Sequence, residues 1–169
     1  MQITEMDRIG RVRAQWAREE PGLDTVPMEV IGRILRVAHL ADARIRTVLR
    51  EEGLDRGGLD VLATLRRSAP PYRLTPTRLY QELVITSGAI THRIDALARA
   101  GLVERIADPA DRRSTLIGLT DRGRELAGRA MAAHMRCEAA MTRFLPPAER
   151  EALAVLLARL LHGMEEEQP

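Results

Sequence analysis

The chain has 169 residues and a net charge of +2, a length that fits one domain or one domain with an appendage. With one Trp, one Phe and two Tyr, its core must be mainly aliphatic, which is typical of packed helices. No apolar stretch reaches the ~18 residues of a membrane span, no secretory signal opens the chain, and Cys137 has no second cysteine to pair with, so a cytoplasmic protein is predicted.

Two helices are predicted before residue 53. The first covers residues 5–19 and carries an apolar stripe formed by Met6, Ile9, Val12 and Trp16. Pro and Gly at 19–27 interrupt it, and a long helix with a regular apolar period follows from about 28 to 50. The default interpretation of Trp16 is core packing, because it follows the stripe of its helix.

Three short helices and a hairpin are predicted next. Asp55 caps a helix that ends near residue 67, and a Pro-rich loop fills 68–74. Thr75 precedes Pro76 and opens a short helix through residue 83. Thr86 or Ser87 caps a third helix to about residue 100, and Gly101 is placed to end it in the left-handed conformation. Residues 102–119 then have the pattern of two strands around a turn.

Two helices are predicted after the hairpin. Thr120 caps a long one, Pro146 and Pro147 interrupt it, and the last helix has a narrow apolar stripe from Leu153 to Met164. The predicted fold is therefore mainly α with a small β-hairpin, a winged helix-turn-helix with a helical dimerisation region from both termini. The predicted regions are 1–53, 54–119 and 120–169, and a second copy is the expected cover of the last stripe.

The third short helix has the periodicity of a DNA recognition helix. At 100° per residue, Ile90, Ile94 and Leu97 point inward, and Gly88, His92, Asp95 and Arg99 point outward. The amino-terminal end of such a helix enters the major groove, which predicts DNA contacts from Ser87, Gly88, Thr91 and His92. The alternatives are a simple N-cap for Ser87 and a solvated surface residue for His92.

The hairpin tip "DPADRRS" carries Arg112 and Arg113 beside Asp108 and Asp111. Arginine side chains insert into narrow A·T-rich minor grooves, where the negative potential is strongest. The aspartates are expected to orient the arginines and to shape the turn. The tip is predicted to bind DNA, against the alternative of two arginines exposed by chance.

Two further charged residues have positions that favour a role inside the protein over a contact with DNA. Arg93 lies about 60° from the inward centre of its helix, which favours a contact inside the protein, either a salt bridge or a ligand. Asp60 lies among apolar neighbours and beyond the first turn of its helix, so its carboxylate needs a partner. A flanking arginine or a ligand pocket would satisfy it.

The combination of motifs at 79–126 resembles the MarR family of bacterial transcription regulators. The matching features are Ser87 at the start of the recognition helix, "RIDALARAGLVER", the "DPADRR" wing and the "LTDRG" entry to the next helix. The resemblance implies a homodimeric winged-helix repressor or activator on a pseudo-palindromic operator, often released by a small ligand.

Residues 12–40 and 58–81 resemble the urate-responsive branch of the same family, which has an extra N-terminal helix with a Trp. This resemblance implies a urate-like purine ligand surrounded by Trp16, Asp60, Arg93 and Arg105. A different phenolic or aromatic ligand, or oxidation, remains the alternative signal; Cys137 lies on an apolar stripe, which favours an inert thiol.

An enzyme is the rival class of function. The four histidines have no metal-ligand spacing, and the sequence contains no phosphate-binding glycine loop, no nucleophile elbow and no cluster of acid, base and nucleophile. Neither catalytic activity nor a cofactor or metal is predicted. A pure interaction module is disfavoured by the wing and the recognition helix.

Overall fold

The computed structural model describes residues 6–83, 90–109 and 114–167. Within these ranges the chain is mainly helical, with a small antiparallel sheet. The helices are α1 (Arg8–Glu19), α2 (Val26–Glu51), α3 (Arg56–Arg67), α4 (Pro76–Glu82), α5 (Ile90–Arg99), α6 (Asp121–Thr142) and α7 (Pro147–Glu166). The strands are β1 (Arg73–Leu74), β2 (Val103–Ala107) and β3 (Thr115–Leu119). The fold class predicted from the sequence is confirmed.

The chain divides into two compact units, residues 1–44 and residues 45–169. In the first unit, ion pairs join α1 to the beginning of α2. Arg33 bonds Asp7 at 2.9 Å and Glu29 at 2.6 Å, and Glu29 also bonds Arg13 at 2.6 Å. Asp7 is the N-cap of α1 as well, accepting from the Gly10 amide at 2.7 Å. The bonds from Arg33 and Gly10 lower the pKa of the Asp7 carboxyl.

Side-chain caps set the starts of α3, α4 and α6, as the sequence predicted. Asp55 accepts from the Gly58 amide at 2.6 Å, Thr75 from the Arg78 amide at 3.2 Å and Thr120 from the Gly123 amide at 3.0 Å. Such caps satisfy amide groups that lack a partner inside the helix. Gly101 has a φ of 67°, which confirms the predicted left-handed end after α5.

The sheet is larger than the predicted hairpin. β2 and β3 pair from Val103 opposite Leu119 to Ala107 opposite Thr115, and β1 adds to the other edge of β3. The prediction that residues 73–74 belong to a loop is wrong. A two-residue strand has no periodicity of its own, and it exists because Arg73 lies opposite Gly118 on the adjacent strand.

The core of the second unit is aliphatic and surrounds α3. Its residues come from the end of α2, α3, α4, α5, the sheet, α6 and the loops that precede α3 and β2: Ile45, Leu49, Leu54, Leu59, Val61, Leu62, Leu65, Leu79, Ile94, Leu97, Leu102, Val103, Ile117, Ala127 and Ala130. The helix α7 buries none of its residues. Among the described residues, no helix combines the length and hydropathy that crossing a membrane requires.

Candidate DNA-reading surface and ligand cavity

The helix α5 has one buried face and one exposed face, in the predicted register. Ile94 and Leu97 are buried against the core, whereas Thr91, His92 and Asp95 are exposed. Polar side chains near the start of α5 therefore point away from the core, where a nucleic acid can reach them. The predicted contacts Ser87 and Gly88 lie outside the described residues.

Asp95 has a partner on the neighbouring strand. The Nη2 atom of Arg105 in β2 donates to the Oδ1 atom of Asp95 across 2.7 Å, and both side chains are about half exposed. Asp95 would otherwise present an unpaired negative charge on the exposed face of α5. The ion pair offsets that charge and joins α5 to the base of the wing.

The described part of the wing ends in a closed pair of strands. The Asp108 amide donates to the Ser114 carbonyl oxygen at 3.1 Å, one step beyond the pairing of Ala107 with Thr115. Residues 110–113, which include Arg112 and Arg113, lie outside the described residues.

A cavity of about 230 Å³ lies in the second unit, between one face each of α3, α6 and the end of α2. Ile45, Leu49, Leu59, Ala63 and Met131 form its apolar walls. Its polar lining consists of Arg56, Asp60, Arg67, His134 and Glu138. The volume is below the ~300–1,000 Å³ typical of drug-sized ligands, so a smaller molecule matches it best.

The buried carboxylate in this cavity is Asp60, which is 9% exposed. Arg56 and Arg67 occur four residues before it and seven residues after it, so all three project from the same side of α3. Arg67 also donates to the Glu82 carbonyl oxygen in α4. The cavity thus combines guanidinium donors with carboxylate acceptors around an apolar floor.

Arg93 extends from α5 to the first turn of α3. A methyl group at position 57 would overlap the Nε and Cζ atoms of Arg93 and lie 2.7 Å from its Cδ atom. The glycine therefore allows the guanidinium group to lie directly on the helix backbone. Gly57 precedes Asp60 by three residues, about one turn of α3, so Arg93 contacts the cavity-lining helix close to its buried carboxylate.

The four predicted ligand residues differ in their surroundings. Asp60 lines the cavity, and Arg93 lies against the helix that contains Asp60. Arg105 belongs to β2 and bonds Asp95 on the exposed face of α5. Trp16 belongs to the first unit and is 41% exposed.

Four polar residues of the cavity are not predicted as site residues from the sequence: Arg56, Arg67, His134 and Glu138. A signal existed for the last two, because a histidine and a glutamate four residues apart on a helix can bond each other, as they do here at 3.1 Å. Over the described residues, no group of three or more His, Cys, Asp or Glu side chains could hold a metal ion.

Comparison with known proteins places this geometry among transcription regulators. Residues 52–114 match the family model described as MarR family. The chain is 37% identical to the HTH-type transcriptional regulator PecS of Dickeya dadantii (strain 3937) over 146 residues, which cover 86% of this chain and 88% of that protein.

Two solved structures have the same fold. A mutant of MarR from E. coli complexed with operator DNA is 25% identical, with a TM-score of 0.68 over 83% of this chain and 99% of that one. BpsR of Bordetella bronchiseptica, whose DNA binding is regulated by 6-hydroxynicotinic acid, is also 25% identical, with a TM-score of 0.67 over 77% and 91%.

Proposed function

Because the chain belongs to the MarR family of DNA-binding transcription regulators, we propose that it acts as a homodimer on a pseudo-palindromic operator, and that a small anionic purine such as urate weakens its DNA binding. The observation that carries the ligand proposal is the position of the Arg93 side chain. This residue of the recognition helix lies against the helix that lines the cavity, so a change at the cavity reaches the DNA-reading surface directly.

The DNA part of the proposal assigns α5 to the major groove and the wing to the flanking minor groove. Thr91 and His92 are exposed at the start of the described part of α5, which supports base contacts from that end. Ser87 and Gly88 are proposed to contact the same groove, and Arg112 and Arg113 the minor groove. In a two-fold dimer the two recognition helices would reach half-sites about one helical turn apart.

The dimer proposal is supported by the apolar surface of α7. The exposed apolar residues that follow one side of this helix are Leu153, Leu156, Leu157, Leu160, Leu161 and Met164. A contiguous apolar stripe of this length on a helix that buries no residue is expected to be covered by another protein surface. A second copy of the chain is the proposed cover, in keeping with the prevalence of two-fold dimers among soluble oligomers.

The ligand proposal concerns charge. A urate-like anion entering the cavity would be attracted by the guanidinium groups of Arg56 and Arg93 and repelled by the carboxylate of Asp60. Arg93 would turn toward the anion, and because it belongs to α5, its movement would shift the residues that contact bases. Arg105 would transmit the shift to the wing through Asp95, and Trp16 would contribute a stacking or hydrogen-bonding contact to the purine, as the family resemblance implies.

The energy required is modest. Operator binding that is about 100-fold weaker in the presence of the ligand requires a preference of about 2.7 kcal/mol for the DNA-free conformation. One charge-assisted hydrogen bond contributes about 1.5–3 kcal/mol. A single new contact between Arg93 and the anion is therefore of the right size.

The test is a titration of operator binding with urate, xanthine and 6-hydroxynicotinate, followed by fluorescence anisotropy of labelled DNA. Urate and xanthine should release the DNA, whereas Asp60→Asn and Arg93→Ala should bind operator and no longer respond to urate. Trp16→Phe should respond only at higher urate concentration. Release by 6-hydroxynicotinate alone would assign the site to a different aromatic anion and refute the purine proposal.

A further inference from the structure

We propose that Arg67 is a second positioning residue between the cavity and the DNA-reading surface: an anion in the cavity draws its guanidinium group away from α4 and releases the end of that helix. This inference rests on the proposed function and deepens it, because it adds a route of regulation through α4 to the route through Arg93. Arg67 itself contacts no DNA in this proposal.

The side chain of Arg67 has contacts at both ends of this route. It lines the cavity beside Asp60, and its Nη2 atom donates to the carbonyl oxygen of Glu82. Arg67 is the last residue of α3, and Glu82 is the last residue of α4. Arg67 is exposed, so its guanidinium group can turn without disturbing the core. One guanidinium group therefore joins the cavity to the carboxyl-terminal end of α4.

The bond from Arg67 supports a short helix at its end. The last four carbonyl groups of an α-helix have no partner inside the helix, and the Glu82 carbonyl is one of them. The helix α4 has seven residues, of which Leu79 is buried. Its ion pair between Arg78 and Glu82 lies within the helix and does not attach it to α3. Because so short a helix depends on tertiary contacts, the loss of an external bond at its end should loosen it.

The helix α4 is placed to pass such a change on to DNA. It precedes α5, which is the next described helix and the proposed recognition helix. In helix-turn-helix proteins the first helix crosses the DNA backbone and the second lies in the major groove. Loosening the end of α4 therefore acts on backbone contacts and on the segment that leads to the recognition helix.

An anion in the cavity competes with the Glu82 carbonyl for Arg67. The carbonyl oxygen is neutral, and an anionic oxygen is a stronger acceptor for a guanidinium group because both partners are then charged. Asp60 and Glu138 repel an anion, which favours the arginine side of the cavity. A bidentate contact uses two parallel N–H groups in one plane. Turning that plane toward the anion moves Nη2 off the carbonyl oxygen.

The first test compares operator affinity without urate and at saturating urate, by fluorescence anisotropy of labelled DNA. The wild-type ratio of the two affinities, about 100-fold under the proposed function, should fall to about tenfold in Arg67→Ala, because one hydrogen bond is lost from the coupling. Saturation removes any effect of weaker urate binding on this ratio. Arg67→Lys keeps a charge and a donor and should give an intermediate ratio.

Arg66→Ala is the matched control. Arg66 is the preceding residue of α3 and is also exposed, but its Nη1 atom donates to the Arg124 carbonyl oxygen of α6 at 2.5 Å. It lines a different groove, formed with α6. This variant should keep the wild-type ratio, whatever its effect on stability.

The second test observes the end of α4 directly by amide hydrogen exchange. Urate should speed exchange at residues 79–83 of the wild-type protein, because the helix end opens more often without its external bond. In Arg67→Ala the same amides should already exchange faster without urate, and urate should not change them further. Arg66→Ala should respond as wild type does.

The outcomes separate this inference from the proposed function. If Arg67→Ala lowers operator affinity or urate affinity but keeps the wild-type ratio, Arg67 is only a structural residue or a ligand contact, and its positioning role is refuted while the purine ligand stands. Unchanged exchange at residues 79–83 of the wild-type protein refutes it as well. If urate does not release operator from wild type, both proposals fail. If Arg67→Ala does not bind operator, Arg67→Lys and the wild-type exchange decide.

Discussion

Arg105 of β2 and Asp95 of α5 form an ion pair, with 2.7 Å between Nη2 and Oδ1, that joins the base of the wing to the recognition helix. Both side chains are about half exposed, so water and salt weaken the attraction, and such pairs are worth about 0–1 kcal/mol. The contribution to stability is therefore small. Its value lies in fixing the orientation of α5 and the sheet, the two elements proposed to contact DNA, relative to each other.

The first prediction follows from this pair. Arg105→Ala and Asp95→Ala should each change operator affinity by no more than about fivefold, and the double variant should change it by no more than the larger of the two. Fluorescence anisotropy on operator DNA measures the four affinities of this double-mutant cycle. Arg124→Ala is the matched control, because its pair with Asp121 at 3.6 Å lies within α6. If the effects of the two substitutions on operator affinity simply add, the pair does not act as a unit.

The second prediction separates positioning contacts from base contacts. Arg112→Ala or Arg113→Ala should weaken binding to operator and to unrelated DNA alike, and should reduce the slope of log affinity against log salt by about one unit. His92→Ala or Thr91→Ala should instead change the ratio between the two DNAs. Arg159→Ala, on α7, is the control for loss of charge alone. An unchanged salt slope in both wing variants would refute the proposed minor-groove contact.

Local signals in the sequence were sufficient for most of the fold. Asp55, Thr75 and Thr120 each cap a helix through an amide three residues later, an interaction that depends on neighbouring residues only. The hairpin of β2 and β3 was also predictable, because its two strands and its turn are neighbours in the sequence. The strand β1 was not, because Arg73 and Leu74 are extended only where β3 provides an edge for them.

The candidate site was only partly predictable. The periodicity of α5 predicts that Arg93 lies on the flank of the helix, but it does not predict that the guanidinium group rests on Gly57, more than thirty residues earlier. The cavity could not be predicted either, since Asp60 and His134 line one space only after α3 and α6 pack together. Contacts between elements that are distant in the chain depend on tertiary packing, to which local patterns are insensitive.

The third prediction concerns the apolar stripe of α7. Leu157→Arg with Leu160→Arg should yield monomers or aggregates with little operator affinity, because two buried guanidinium groups without partners would oppose association. Light scattering measures the association state, and fluorescence anisotropy measures the operator affinity. Val155→Arg is the matched control: Val155 is 58% exposed on the same helix but points to the other side of the stripe. A well-behaved wild-type monomer, or equal effects at all three positions, would contradict the dimer.

The fourth prediction concerns pH and the first unit. Arg33 lowers the pKa of Asp7, so the ion pair stabilises the folded state fully above the unfolded value of 3.8 and loses its effect as the pH falls through the lower folded value. Asp7→Asn keeps a capping oxygen but removes the charge. The stability difference between the two proteins, followed by the fluorescence of the single tryptophan, Trp16, should shrink below pH 3.8 and at high salt. A difference that grows with acidification would contradict the assignment.

The last prediction tests the contact of Arg93 with α3. Gly57→Ala should displace the guanidinium group and therefore abolish the response to urate although Arg93 is still present. In an Arg93→Ala background the three atoms nearest the added methyl group are removed, and the same substitution should stabilise the protein by up to about 1 kcal/mol, the helix-propensity gain of alanine over glycine. Gly128→Ala is the matched control, because a methyl group there lies 2.5 Å from the Nη1 atom of Arg66, which is not on the recognition helix. Urate-dependent release of operator and chemical denaturation measure the two effects. If Gly57→Ala responds to urate as wild type does while Arg93→Ala does not, the response needs the arginine but not its contact with α3.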